Sequence, residues 1–186
     1  MEKKKYFFSL ILIFLVGALD SYCYMLHDGM FASMQTGNMI KVAIKLAHGD
    51  LTNIWSYLLT MLTFAIGIIV AYFIVRKKRG DVISVLIALA CYLIGILIPL
   101  GKLNFLANAI MAFGVGAQLQ AIREIDGFAV ATTMCTGNLR SMSECIGKLV
   151  TTKDKKFAHG IFIYGTLIIS FIIGVFLGAL LIKAVI

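Results

Sequence analysis

Long apolar runs alternate with short polar links along almost the whole chain. The runs cover residues 6–26, 54–75, 82–100, 103–122 and 159–182. Each approaches or exceeds the roughly 20 residues a helix needs to cross a bilayer. Two more helical segments are predicted at 31–47 and 129–149, and both are far more polar. The first carries Ser33, Gln35, Thr36, Asn38, Lys41 and Lys45; the second carries Thr132, Thr133, Thr136, Asn138, Arg140, Ser141, Ser143, Glu144 and Lys148. A charged side chain at mid-bilayer costs at least about 2.5–3.5 kcal/mol. These two segments are therefore expected to be enclosed by other helices, to line water, or to stop short of crossing. The chain reads as an all-α polytopic membrane protein.

The same phrases recur in order. Val16-Gly17-Ala18 matches Val115-Gly116-Ala117, and Phe64-Ala65-Ile66-Gly67 matches Phe171-Ile172-Ile173-Gly174. Between these landmarks Met-x-Thr-Gly-Asn occurs twice, at Met34–Asn38 and Met134–Asn138, each just after an Asp-Gly step. This predicts a repeat of three helical segments, with one unit at about 6–76 and the other at about 103–183. The helix at 82–100 links them, and residues 1–186 form a single integral membrane domain. A duplicated polar, glycine-bearing phrase in a membrane sequence points to a transport or channel site.

Composition supports lipid as the solvent. The chain is 61% hydrophobic and 14% charged, more apolar than a soluble domain of this size can hide. Its net charge of +8 does not indicate nucleic acid, because the basic residues sit at the ends of the apolar runs. Orientation signals and anionic-lipid contacts belong there. If 31–47 and 129–149 enter and return on one side, Lys3–Lys5, Arg76–Arg79, Arg123, Lys153, Lys155 and Lys156 all fall on one face with a cytoplasmic N-terminus. The two units are then inverted, and the Thr-Gly-Asn phrases approach the midplane from opposite sides, by analogy with the half-helices of aquaporins. The competing plan has seven full spans and parallel units, as in sugar-transporting SWEET proteins.

Several residues are candidates for chemistry. Gly37 and Gly137 allow close backbone approach, while Thr36, Thr136, Asn38 and Asn138 supply hydroxyl and amide groups. The bland reading is helix packing with Asn bridging helices. Asp20 is an acid well inside an apolar run, and an intramembrane carboxylate is by default an ion ligand, proton carrier or ion-pair partner. The bland reading is an interfacial cap; the expected partners are Lys41, Arg140 or the two asparagines. Arg140, Glu144 and Lys148 share one helix face and read as a self-neutralising stripe or a gating pair. Gly67/Ala71 and Gly174/Gly178 permit close helix crossing within the chain or across a homodimer. The four cysteines and three histidines show no ligand spacing, so no metal or cofactor is expected. No hydrolase, phosphate-loop or zinc motif is present, and no enzyme activity is expected.

At Gly17-Ala18-Leu19-Asp20, Phe31–Asn38 and Val130–Asn138 the chain resembles the YoaK family of bacterial inner-membrane proteins. Members look similar there, with Gly-Phe-Val-Asp-Ala-like and Phe-x-Ser-x-x-Thr-Gly-Asn-like patterns. The resemblance spans almost the whole chain and implies a multi-pass protein of the bacterial cytoplasmic membrane. It departs at Gln118-Leu119, where relatives often carry Asn after the Gln, so a site here would be less symmetric. The sequence-level expectation is a small transporter or channel for a polar or ionic solute. Its site would lie between the repeats, at Asp20, Thr36, Gly37, Asn38, Thr136, Gly137, Asn138 and Arg140. The alternative is a non-transporting scaffold or sensory partner.

Overall fold

A computed structural model describes residues 3–185; residues 1, 2 and 186 of the expected domain lie outside the described part. The chain forms helices α1 (Lys3–Leu26), α2 (Gln35–Ala47), α3 (Ile54–Ile74), α4 (Gly80–Leu97) and α5 (Asn104–Ala121). A small hairpin follows, β1 (Glu124–Ile125) and β2 (Phe128–Ala129), then α6 (Cys135–Thr152) and α7 (Lys155–Val185). The protein is an all-α, multi-pass membrane protein. Four helices, α1, α3, α4 and α7, are long and apolar enough to span a bilayer. Helix α5 runs through the same bundle with less apolar character. Its Ala107, Asn108, Met111, Ala112, Val115 and Gln118 are buried against other helices, so lipid meets little of it.

Helix directions follow from paired contacts. Tyr6 Oη donates to Thr166 Oγ1 and Ser170 Oγ to the Leu10 carbonyl, both at 2.8 Å, so α1 and α7 run parallel. Asn104 Nδ2 donates to the Leu26 carbonyl at 3.1 Å and Gln118 Nε2 to the Leu12 carbonyl at 3.4 Å, so α1 and α5 run antiparallel. The starts of α3 and α5 lie together, with Asn53, Ser56 and Phe105 around one hollow. Helix α3 is therefore antiparallel to α1, and the chain between them comes back to the end it left. That end is reached twice without a crossing by α2.

Four glycines hold the pairs together. A methyl group on Gly17 would strike the carbonyl oxygen of Phe171, and one on Gly174 that of Phe14. The same reciprocity joins Gly67 to Phe113 and Gly116 to Phe64. Each contact belongs to a Phe-x-x-Gly step, at Phe14, Phe64, Phe113 and Phe171. Without a Cβ the backbones approach closely, and dispersion replaces the hydrophobic drive that lipid does not provide. Gly67/Ala71 and Gly174/Gly178 thus serve crossings within this chain: Ala71 is fully buried, and Gly178 lies against Ala18.

The polar segments start later than the sequence pattern predicts. Helix α2 begins at Gln35 and α6 at Cys135, each after a non-helical stretch. Asp28-Gly29 and Asp126-Gly127 both take left-handed φ, at 56° and 70° and at 51° and 81°. Paired positive φ values reverse the chain sharply. In the second turn the flanks are long enough to pair as β1 and β2, Ile125 opposite Phe128, a hairpin the apolar pattern did not announce.

Substituting Gly17 or Gly116 by Leu should force the crossings apart, where overpacking typically costs about 1–3 kcal/mol. Gly137, around which a methyl meets nothing within 4 Å, should accept Ala freely. Thermal unfolding in nanodiscs checks this: a large drop for either Leu variant, and little change for Gly137→Ala.

Candidate functional site

Both Thr-Gly-Asn phrases form the first turn of a returning helix. After the Asp28-Gly29 turn the chain re-enters the bundle as far as Ser33, whose backbone N–H donates to Asp20 Oδ1 at 2.9 Å. The Ser33 hydroxyl donates to the other oxygen of the same carboxylate. Helix α2 then leads back out. After the second turn, Thr132 reaches Gln118: its carbonyl accepts Gln118 Nε2 at 3.0 Å. Gln118 and Leu12 are at one level, and Asp20 lies eight residues further along α1, about 12 Å at 1.5 Å per residue. The two dips therefore enter from opposite ends of the bundle and stop at levels about 12 Å apart along α1. Tyr92 Oη donates to Gln118 Oε1 at 2.9 Å, linking α4 to the second dip.

The asparagines hold the dips in shape. Asn38 Oδ1 accepts the Phe31 N–H at 3.1 Å, and its Nδ2 donates to the Phe31 carbonyl at 2.8 Å and to Gln35 Oε1 at 3.0 Å. Asn138 repeats the clasp on Ala131, at 3.0 Å and 2.7 Å. Each amide thus takes the place of a strand partner for a backbone that has none. Both side chains are buried.

The other expected residues separate from this pair. Thr36, Thr136, Gly137 and Arg140 are exposed, while Gly37 packs on the Phe31 ring. Arg140 pairs with Glu144 at 2.9 Å on the outer surface, the self-neutralising stripe, and does not meet Asp20. Lys41 donates to the Gly29 carbonyl and lies 4.9 Å and 4.5 Å above the Tyr24 and Phe31 rings. Lys45 pairs with Asp50 at 2.5 Å, and that hydrogen bond holds the Asp50 carboxyl well below the usual carboxylate range. With its lysines engaged, α2 turns Met39, Ile40, Ile44 and Leu46 outward, so this polar segment does present an apolar face to its surroundings.

The model of the family described as "Protein of unknown function (DUF1275)" matches residues 8–186. The chain belongs to the DUF1275 family. It is similar to the UPF0700 transmembrane protein YoaK of Bacillus subtilis (strain 168), with 22% identity over 181 residues, covering 91% of this chain and 80% of that protein. No solved structure matches. Within this DUF1275 chain the polar residues that sequence reasoning left out of the site are Ser33, Tyr92, Gln118, Thr132 and Thr133. Ser33 stands 13 positions from Asp20 across a reversal that only coordinates reveal, and Tyr92 sits on the helix read as a mere link. Thr132 and Thr133 are buried with unpartnered hydroxyls. At the position that matches Asp20 when Val16-Gly17-Ala18 is laid on Val115-Gly116-Ala117, Leu119 stands in place of the acid.

His27 closes the far end of the bundle. Its ring is fully buried, with Nδ1 2.8 Å from Asn108 Oδ1. Burial lowers its pKa below the ordinary 6.5, against the opposing pull of Asn108 and Asp28. Above that value folded and unfolded chains are both neutral here. As pH falls below it, the unfolded chain binds the proton first and folded stability is lost. The thermal midpoint should drop between pH 7 and 5, and His27→Gln should shrink that drop.

Removing either asparagine should undo its dip. Asn138→Ala leaves the Ala131 N–H and carbonyl without partners, at about 1–3 kcal/mol for each buried group. Lowered thermal stability of both Asn38→Ala and Asn138→Ala is the expected outcome; unchanged melting would show that the clasps do not hold the loops.

Proposed function

We propose that this protein moves a small polar or ionic solute across the bacterial cytoplasmic membrane, as a transporter or channel. The two triads of helices act as an inverted repeat, with the solute site between the dips. One observation carries the reading: two re-entrant loops from opposite ends place a buried carboxylate and buried hydroxyls, unpartnered among the described residues, inside an apolar bundle at levels about 12 Å apart. Non-helical backbone at membrane depth is tolerated only where protein encloses it or a wet cavity receives it. An intramembrane acid is expensive unless it has a task. Asp20 is 3% exposed and has no ion pair among the described residues. In this reading Asp20 meets the solute, while Asn38 and Asn138 set the loop shape and Gly37 and Gly137 open each helix start. Thr36, Thr136 and Arg140 lie at the outer approach.

Orientation follows from charge. Lys3–Lys5, Arg76–Arg79, Arg123, Lys153, Lys155 and Lys156 gather at one end of the bundle, whereas Lys41, Lys45, Lys102 and Lys183 belong to the other. The positive-inside rule makes the first end cytoplasmic. A second reading, a membrane scaffold, has one observation in its favour: both asparagine amides are sealed within their own loops.

Two measurements test the proposal. A cysteine replacing exposed His48 should react with an impermeant maleimide in intact cells, and one replacing exposed Thr151 only after permeabilisation. In proteoliposomes carrying a panel of ions and small metabolites, Asp20→Asn should lower solute flux at least about tenfold, or roughly 1.4 kcal/mol, without loss of folding. Wild-type flux in that variant removes Asp20 from the path, and no flux of any solute by the native protein favours the scaffold.

A further inference from the structure

Asp20 is not only a partner of Ser33. It also floors a groove of about 550 Å³ between α1, α7 and the first dip, whose walls include Tyr24, Met25, Phe31, Met34 and Phe171. The volume suits a drug-sized molecule. The walls are aromatic, thioether or aliphatic, and the charge at the bottom is a single carboxylate. From this juxtaposition we infer that the groove binds a lipophilic organic cation, one whose positive charge is spread beneath apolar or aromatic arms. The inference rests on the reading of Asp20 as the solute-facing acid and names the class of solute.

Three observations select that class. The carboxylate has no cationic partner among the described residues: Lys41 is tied to the Gly29 carbonyl, and Arg140 to Glu144. An anion or a neutral apolar molecule would leave that charge unanswered in a low-dielectric wall. A bare metal ion is excluded by the shortage of oxygen ligands, since a hard cation takes six or more. Of the other oxygens on the groove's α1 wall, the Ser21 hydroxyl is bonded to the Ala18 carbonyl at 2.7 Å, and Tyr24 adds one phenol, far short of such a shell. A diffuse organic cation needs no such shell, because its hydration is weak and its arms are stabilised by the apolar walls. Finally, the wall rings are already cation acceptors. Tyr24 and Phe31 stack at 5.3 Å, and both lie under the Lys41 ammonium. A bound cation gains from the ring quadrupole where Lys41 leaves ring surface open, and it must outweigh repulsion from that ammonium through its contact with Asp20. Met25 and Met34, both exposed, give the rim side chains that adapt to different shapes.

Equilibrium binding of radiolabelled tetraphenylphosphonium to the purified full-length protein in nanodiscs tests this. Saturable binding of one ion per chain is expected. Asp20→Asn should weaken it at least about tenfold, and neutral triphenylphosphine oxide should fail to compete. Met34→Trp, which fills the groove from its rim without touching Asp20, should also block binding, so the result does not depend on how well the Asp20 variant folds. No saturable binding, equal binding by folded Asp20→Asn, or full competition by the neutral compound each overturns the inference; the last makes the groove a slot for acyl chains. Asp20-dependent binding without any flux would leave this assignment standing and remove transport. Asp20-dependent flux of another solute without phosphonium binding would do the reverse.

Discussion

Backbone-to-backbone contact at four Phe-x-x-Gly steps is the constraint on which the rest depends. Lipid offers helices no hydrophobic reason to associate, so the energy must come from close packing and from hydrogen bonds. Gly17, Gly67, Gly116 and Gly174 allow that closeness by lacking a side chain, each against the carbonyl of the Phe that begins its partner's step. The pairs they fasten are α1 with α7 and α3 with α5, so helices distant in the chain are locked together around the two dips.

The dips follow from that frame. With α1 and α3 antiparallel, the intervening stretch starts and finishes at one end of the bundle, and here it dips in to Ser33 and returns as α2. Its backbone loses both helix and sheet partners on the way, and Asn38 and Asn138 restore them. The polar side chains that look functional in the sequence therefore divide. The amides hold the path, while the Asp20 carboxylate anchors the tip of the first dip through Ser33.

Much of this was legible beforehand. Apolar runs marked the spans, and the gathering of lysines and arginines at one face already favoured segments that return over segments that cross. The recurring Met-x-Thr-Gly-Asn phrase lies where both dips turn back into helix. What the phrase did for the chain was hidden, since Asn38 acts on Phe31 and that hydrogen bond has no periodic signature. Asp20 stood out as a buried acid, yet its partner was misjudged. Charge suggested Lys41 or Arg140, whereas geometry supplies the Ser33 hydroxyl and backbone. Helix α5 read as one more span, although it is the inner one, shielded from lipid by its neighbours. Tyr92 was passed over because the linking helix carries no repeat landmark.

The pairing of α1 with α7 bears on how the molecule comes into being. Five other helices are translated between the two, so α1 enters the bilayer long before its tightest neighbour exists. During that interval the narrow strip around Gly17 and Ala18 faces acyl chains, and the bundle stays ajar on that flank. Closure of that flank thus waits for α7, which docks alongside α1 only after α2 to α6 have been made and shuts this side of the structure like a late stave in a cask.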